Sequence, residues 1–434
     1  MTAALQQKEF YKVANLLDHD LLALKAGKEV CNYFTIPTLL EARHRIVRAT
    51  PKQMAKRLPN FFNPPIKARQ RLGQGTHDRC EAVCFAGAEI GEEDIEGLNR
   101  HLPLHVKAIS VQEKRIQSGE IWDVSVRGDR WGLDDQEELY VAVNVGHLII
   151  EPGAALIIRG NVFSLLCQQL TNLNPFTTPA GKDNYDIGIL PTPFSVDFGS
   201  GPLNGQAGVN GKHGTTGTEA APLQVSSSLL GPMLLEEVSP KRMDGKDGHD
   251  GNHGTHGQKG RNGGMCKIAE ITVRQLNGRL VVFSQAGTGG NGGDGGNGGD
   301  GGHGGKGTRG YNSVSGIIRG GNGGKGGAGG DGGNGGNAGN GGIASNIYVN
   351  VPESSLAQVI CLALDSEGGK GGLGGQAGKG GKAGAAGVGH KVEYNGNPGL
   401  PGQNGQPGKP GRSGRSRAAA PVFLNEVLVV QNAV

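Results

Sequence analysis

Several groups of residues along this chain have the types and spacing of chemical sites. His77, Cys80 and Cys84 are spaced like half of a zinc site, and His253 and His256 share one face of GNHGTHG. Zinc needs four converging ligands, and no second pair at zinc spacing follows Cys84. On an extended backbone rising about 3.1 Å per residue, His253 and His256 stand about 9 Å apart, too far to chelate one ion. A histidine row facing solvent is the better reading. GGHGGKGT (Gly301–Thr308) looks like a phosphate loop but places glycine, not Ser or Thr, after Lys306, so the magnesium-holding hydroxyl is missing. Asp294 and Asp300 have only glycine and asparagine around them, without the apolar position that calcium-binding nonapeptide repeats need. There is neither a nucleophile elbow nor a zincin helix. The expectation is a protein that is not an enzyme, with no catalytic residue, no metal and no cofactor.

Binding is better represented than catalysis. Arg43, Arg45, Arg48, Lys52, Lys56 and Arg57 crowd one stretch, with Lys67, Arg69 and Arg71 after it. Residues 1–80 hold 14 Lys and Arg against 6 Asp and Glu, in a chain of net charge +4. Such a cluster is either a solvated helix face or a docking surface for an acidic protein or anionic lipid. The absence of interleaved aromatic residues disfavours nucleic acid. Leu5 to Ala26 reads as an amphipathic helix closed by Gly27, and Thr38 to Leu58 as a second helical stretch interrupted near Pro51. Residues 1–80 are therefore expected to be a basic helical docking segment, with the part before Asn60 mediating assembly and separable from the rest.

Composition narrows the class. Of 434 residues 81 are glycine and only 5% are aromatic, a bias that usually signals low complexity. Cys31, Cys80, Cys84, Cys167, Cys266 and Cys361 are scattered and read as free thiols. The N-terminus lacks the apolar core of a secretory signal, and no run of about 18 apolar residues suggests a membrane span. The compartment stays open between cytoplasmic assembly and export or virion display by a route other than the general secretory one.

Residues 81–200 are expected to be mainly β. LYVAVNV (Leu139–Val145) alternates strictly, and short apolar runs follow, broken at Pro152-Gly153 and Gly160-Asn161. The spacing suits a β-sandwich or a short β-solenoid equally.

From Gly205 onward glycine recurs with a period of three, in tracts spanning 205–217, 245–263, 289–310, 321–342, 369–387 and 396–414. Tracts three, four and five mostly read Gly-Gly-X; tracts one, two and six read Gly-X-Y. The extended left-handed polyproline-II helix has three residues per turn and no internal hydrogen bonds. A face made only of glycine lets a neighbouring backbone approach closely enough for lateral hydrogen bonds. The packing glycines are expected on the strict series, among them Gly251, Gly254, Gly257, Gly292, Gly295, Gly298, Gly301, Gly324, Gly327, Gly330, Gly372, Gly375, Gly378, Gly402 and Gly405. The Gly-Gly-X tracts should lie inside and the Gly-X-Y tracts outside, with the X row (Asn297, for example) free in solvent. GNPGLPGQNGQPGKPGRSG (Gly396–Gly414) also looks collagenous, but seven triplets are few for a triple helix.

These tracts resemble the polyglycine-II helix bundles of glycine-rich phage tail-fibre tip adhesins and springtail antifreeze proteins. The resemblance covers residues 205–414 and concerns architecture; residues 1–200 resemble no family. The overall expectation is a mixed fold, with an N-terminal helical segment, the β region, a six-helix polyglycine-II bundle with β-rich connections over 201–416, and a C-terminal strand over 417–434. The function expected is a non-enzymatic structural protein, a homo-oligomer self-associating into a filament or lattice. The adhesin resemblance implies an alternative, a surface module recognising a glycan or protein. The antifreeze resemblance implies ice binding, but ice-binding faces favour small residues, and charged Asp294, Asp300 and Lys306 in the X row count against it.

Overall fold

The computed structural model describes residues 3–61, 76–89, 102–133, 138–175, 180–193, 202–235 and 239–429. The fold is mixed, built around two sheets with few helices. In the larger sheet the path runs β1 (Val30–Ile36), β2 (Leu104–Ile116), β4 (Leu139–Ile150), β6 (Val162–Asn172), β10 (Ala269–Val273), β15 (Ile347–Asn350), β17 (Val422–Leu424) and β18 (Val427–Leu428), with β11 (Leu276–Asn277) beside β6. The smaller sheet runs β16 (Val359–Leu364), β12 (Leu280–Gln285), β7 (Ile187–Leu190), β5 (Ala155–Arg159) and β3 (Ile121–Asp123). Pairing is parallel throughout both sheets except at the end pairs β1–β2 and β17–β18. From β2 to β7 each strand in the larger sheet is followed by one in the smaller, so the chain winds as a coil. The strands extend well beyond residues 81–200. ITVRQLNGRLVVFSQ supplies β10, β11 and β12, and NIYVNVPESSLAQVICLALD supplies β15 and β16.

The strict alternation of β4 acquires a double meaning. Val141, Val143 and Val145 face the core between the sheets with Leu156, Ile158, Ile189 and Val282. Tyr140 and Ala142 face a second core, and β4 is buried over most of its length, as parallel strands covered on both faces are. The cover is the N-terminal region. Helices α1 (Ala3–Leu16), α3 (Leu39–Ile46) and α5 (Thr76–Ala86) place Val13, Leu39, Ile46, Val83 and Phe85, with Leu17 just beyond α1, in one cluster with Tyr140, Leu166, Tyr348 and Phe423.

One helical expectation is corrected. The first stretch breaks in two, because Asp18 takes φ 55° and Asp20 caps a new helix, α2 (Leu21–Lys25), through the Leu22 and Ala23 amides. The second is interrupted before Pro51, as expected, giving α3, capped by the Thr38 hydroxyl at Glu41, and α4 (Pro51–Phe61). PVFLNEVLVVQ is also a hairpin rather than one strand, turning at Asn425 and Glu426, both with positive φ.

The glycine tracts are inserted between coils, in pairs. Tracts one and two lie between β7 and β10, tracts three and four between β12 and β15, and tracts five and six between β16 and β17. Backbone hydrogen bonds join tracts one, three and five in one layer, as in Gly208 N–H to Asp294 O (2.7 Å) and Gly292 N–H to Lys370 O (2.9 Å). Tracts two, four and six form the other layer, as in Gly251 to Ala328 and Gly326 to Leu400, both 2.8 Å. Antiparallel contacts cross between layers, such as Gly293 to Gln258 and Gly333 to Gly296. The order within each layer repeats the order β7–β12–β16 or β10–β15–β17, so each layer continues one sheet.

Candidate functional site

The basic cluster folds inward. Arg57 is fully buried, its guanidinium 2.8 Å from both Glu270 and Glu426 and 4.1 Å over the Tyr348 ring. Burial alone would lower its pKa, but the two carboxylates raise it. Burial brings Arg48 down to about 10 despite Glu270, whose carboxylate accepts from the Arg48 amide at 2.7 Å. Arg43 donates to the Val83 carbonyl, and Arg45 pairs with Asp18 and Glu41. Lys52 and Lys56 alone in the proposed docking set are exposed. Arg57 is thus an internal clasp tying α4 to β10 and the C-terminal hairpin, because a helix laid on the sheet carries its inward cation into the core. Lys67, Arg69, Arg71 and the side chains of His77 and Cys80 lie outside the described residues. Cys84 is buried, and among the described residues no group of three metal-ligating side chains converges.

The glycines of the strict series lie against neighbouring backbone. A methyl carbon on Gly298 would lie 1.9 Å from the Gly330 carbonyl oxygen, on Gly254 2.0 Å from that of Gly296, and on Gly375 2.0 Å from the same oxygen. The others of the predicted set, Gly251, Gly257, Gly292, Gly295, Gly301, Gly324, Gly327, Gly330, Gly372, Gly378, Gly402 and Gly405, meet backbone equally closely. The second series is just as closed, with Gly299 2.0 Å from the Lys212 oxygen. Tracts three and four each touch four others. Tract two, although Gly-X-Y, touches three, as does tract five.

The X row has a role the repeat did not disclose. Asn297 Oδ1 accepts the Gln376 N–H at 2.8 Å, Asp300 the Lys379 N–H at 2.7 Å, and His303 Nδ1 the Lys382 N–H at 3.0 Å. Tract two serves tract four in the same way through Asp247, Asp250, His253 and His256, and tract four serves six through Asp331, Asn334, Asn337 and Asn340. Each accepting side chain thus satisfies the amide that the glycine bonds leave over. Because Nδ1 accepts, these histidines carry their hydrogen on Nε2. The signal that could have found this is the X-row composition, which turns from Asn, Asp and His to Lys, Gln, Leu and Arg in tracts five and six, where no further tract follows.

Both edges of the array are finished. Prolines 398, 401, 407 and 410 remove amides from the outer row of tract six. Asn404 caps the Gly380 amide and Ser413 the Gly371 amide. At the opposite edge Lys212, His249 and Arg261 occupy rows that are glycine in tracts three and four, and Thr255 Oγ1 accepts the Val209 N–H at 2.6 Å.

The three connections far from the sheets gather at one end. Ala220 bonds Lys306, Gly310 bonds Val388, Gly320 bonds Tyr394, and Val314 bonds Pro232. This end carries a hairpin of β8 (Val225–Ser228) and β9 (Gly231–Leu234), the short pair β13 (Asn312–Ser313) and β14 (Gly316–Ile317), and the 388–395 turn. Leu229, Leu230, Leu235 and Val392 are exposed there. Elsewhere, the groove by β3 and β5 holds polar groups that satisfy one another, Arg159 lying 3.4 Å from Asp123 and Asn161 accepting the Val126 amide. Against family models, curated proteins and solved structures the chain finds no match.

Proposed function

We propose that this chain is a non-enzymatic attachment protein, in which a short β-solenoid mounts a rigid six-helix polyglycine-II bundle that holds its loops out at the free end. The observation that carries this reading is the finishing of both bundle edges. Prolines on tract six and bulky side chains on tracts one and two oppose the addition of further tracts, as charge and proline oppose pairing at sheet edges. That supports a discrete presenting unit over a lattice grown sideways. The covering of the larger sheet by residues 3–61 supports the same reading, since Arg43, Arg48 and Arg57 of the basic cluster are engaged internally.

The test replaces residues 225–234 by Asn-Gly, joining Gln224 to Leu235, whose backbones already bond. Full-length and trimmed chains are then applied to immobilised glycans, extracellular proteins and lipid vesicles. Attachment predicts a surface bound by the full chain and lost on trimming, at unchanged melting temperature. Equal binding by both chains, or none by either, defeats it.

A further inference from the structure

The chemistry of the free end narrows the partner. Two-residue hairpin turns favour Asn-Gly or Asp-Gly, whose backbone and solvation suit the apex. Here the turn between Ser228 and Gly231 is Leu229-Leu230, with relative exposures of 107% and 85%. A local rule broken at a fully exposed apex marks a functional position rather than a packing one. Val314 and Ile317 on the second connection and Val392 on the third are exposed at the same end. The exposed apolar groups therefore belong to three separate connections brought to one end.

Cations and aromatic rings lie on or beside the same connections. Arg309 lies over the Tyr311 ring and Arg319 over the Tyr394 ring, each at 5.8 Å, and His390 stacks on Tyr394 at 4.8 Å. Lys241, Arg242 and Lys391 are exposed nearby, against the acidic Glu219, Asp244 and Glu393 among the described residues of these connections, Asp244 being engaged by the Asn322 amide; Glu236 and Glu237 lie outside them. Apolar tips ringed by tyrosine, lysine and arginine suit the boundary of a bilayer, where acyl chains, headgroups and lipid phosphate lie in sequence.

We propose that the free end docks on an anionic lipid surface, inserting Leu229 and Leu230 while the surrounding cations meet the headgroups. This rests on the attachment reading and names its partner. Co-sedimentation of the full chain with phosphatidylcholine vesicles, with and without phosphatidylserine, tests it. Binding is expected to the mixed vesicles, weaker on pure phosphatidylcholine and in high salt, and about tenfold weaker for Leu229→Asp with Leu230→Asp. Val392→Asp, on a separate loop, is expected to weaken it in the same direction, and both variants should keep the parent melting temperature. No sedimentation with the mixed vesicles, or binding indifferent to both variants, overturns the proposal. So does a tip-dependent doubling of solution mass without vesicle binding. Tip-dependent capture of a glycan or protein without vesicle binding overturns the lipid proposal alone, whereas no tip-dependent binding of any kind removes the attachment reading too.

Discussion

Gly298 and Asn297 are neighbours in sequence with different duties. A methyl group at Gly298 must displace the Gly330 carbonyl, 1.9 Å away, at a cost of at least about 1–3 kcal/mol, as overpacking has. Asn297→Ala removes an acceptor from the Gln376 amide and should cost about 0.5–1.5 kcal/mol, although its side chain is exposed. Lys382→Ala, in an X row with no tract beyond it, should stay within about 0.5 kcal/mol. Urea unfolding of the three variants checks this order, and a silent Gly298→Ala would be incompatible with the close-packed bundle. Arg57→Ala leaves Glu270 and Glu426 buried without their cation and should cost about 3–5 kcal/mol. Glu426, at φ 67° in the hairpin turn, would then lose its ion-pair partner.

At the scale of elements, the N-terminal helices wall off one face of the larger sheet. Removing residues 1–61 should uncover Tyr140, Leu166, Tyr348 and Phe423 and give an aggregating or molten product rather than a soluble body. Near-ultraviolet circular dichroism of the truncated chain decides the matter, and native-like spectra would restore the segment as a separable arm. His19 gives this wall a pH dependence. Its Nδ1 lies 2.7 Å from the Ser110 hydroxyl, and desolvation lowers its pKa below 6.5, against smaller raising effects of the Ala108 carbonyl and Asp18. The unfolded chain therefore binds a proton that the folded chain refuses. Stability linked to His19 is full above about pH 6.5 and falls as pH drops through the window below it. His19→Gln should flatten that part of the stability profile relative to the parent, as measured by urea melts at several pH values.

For the molecule as a whole, the proposed arrangement of a rigid bundle on a solenoid predicts an elongated particle. The longest tracts would extend about 65 Å at the polyproline-II rise, and solution scattering should report one maximum dimension independent of concentration. A dimension growing with concentration would favour self-association instead. Melting should be indifferent to EDTA and to reductant, since Cys31, Cys167, Cys266 and Cys361 form no disulfide. Burial pushes the Cys167, Cys266 and Cys361 thiols up to about 12, so the exposed Cys31 should react before these three with thiol reagents. Mass mapping of partly alkylated protein tests that order.

The period-three glycines marked in the sequence a repeat whose bare faces admit close backbone approach, because the absence of a side chain is itself the signal. The alternation of Leu139–Val145 likewise marked a strand, and the turns at Gly153 and Gly160 appear with the positive φ that glycine permits. What the sequence could not determine is which segments meet across long separations. The parallel coil depends on β6, β10 and β15 becoming neighbours across the tract insertions, and local patterns do not encode such pairings. Arg57 looked like surface charge because its partners, Glu270 and Glu426, lie more than 200 residues away. The X row looked solvated because its hydrogen-bond donors belong to another tract, 79 residues on at Asn297. The free end exists only once three connections, distant in sequence, are brought together by the lateral bonds of the tracts that carry them.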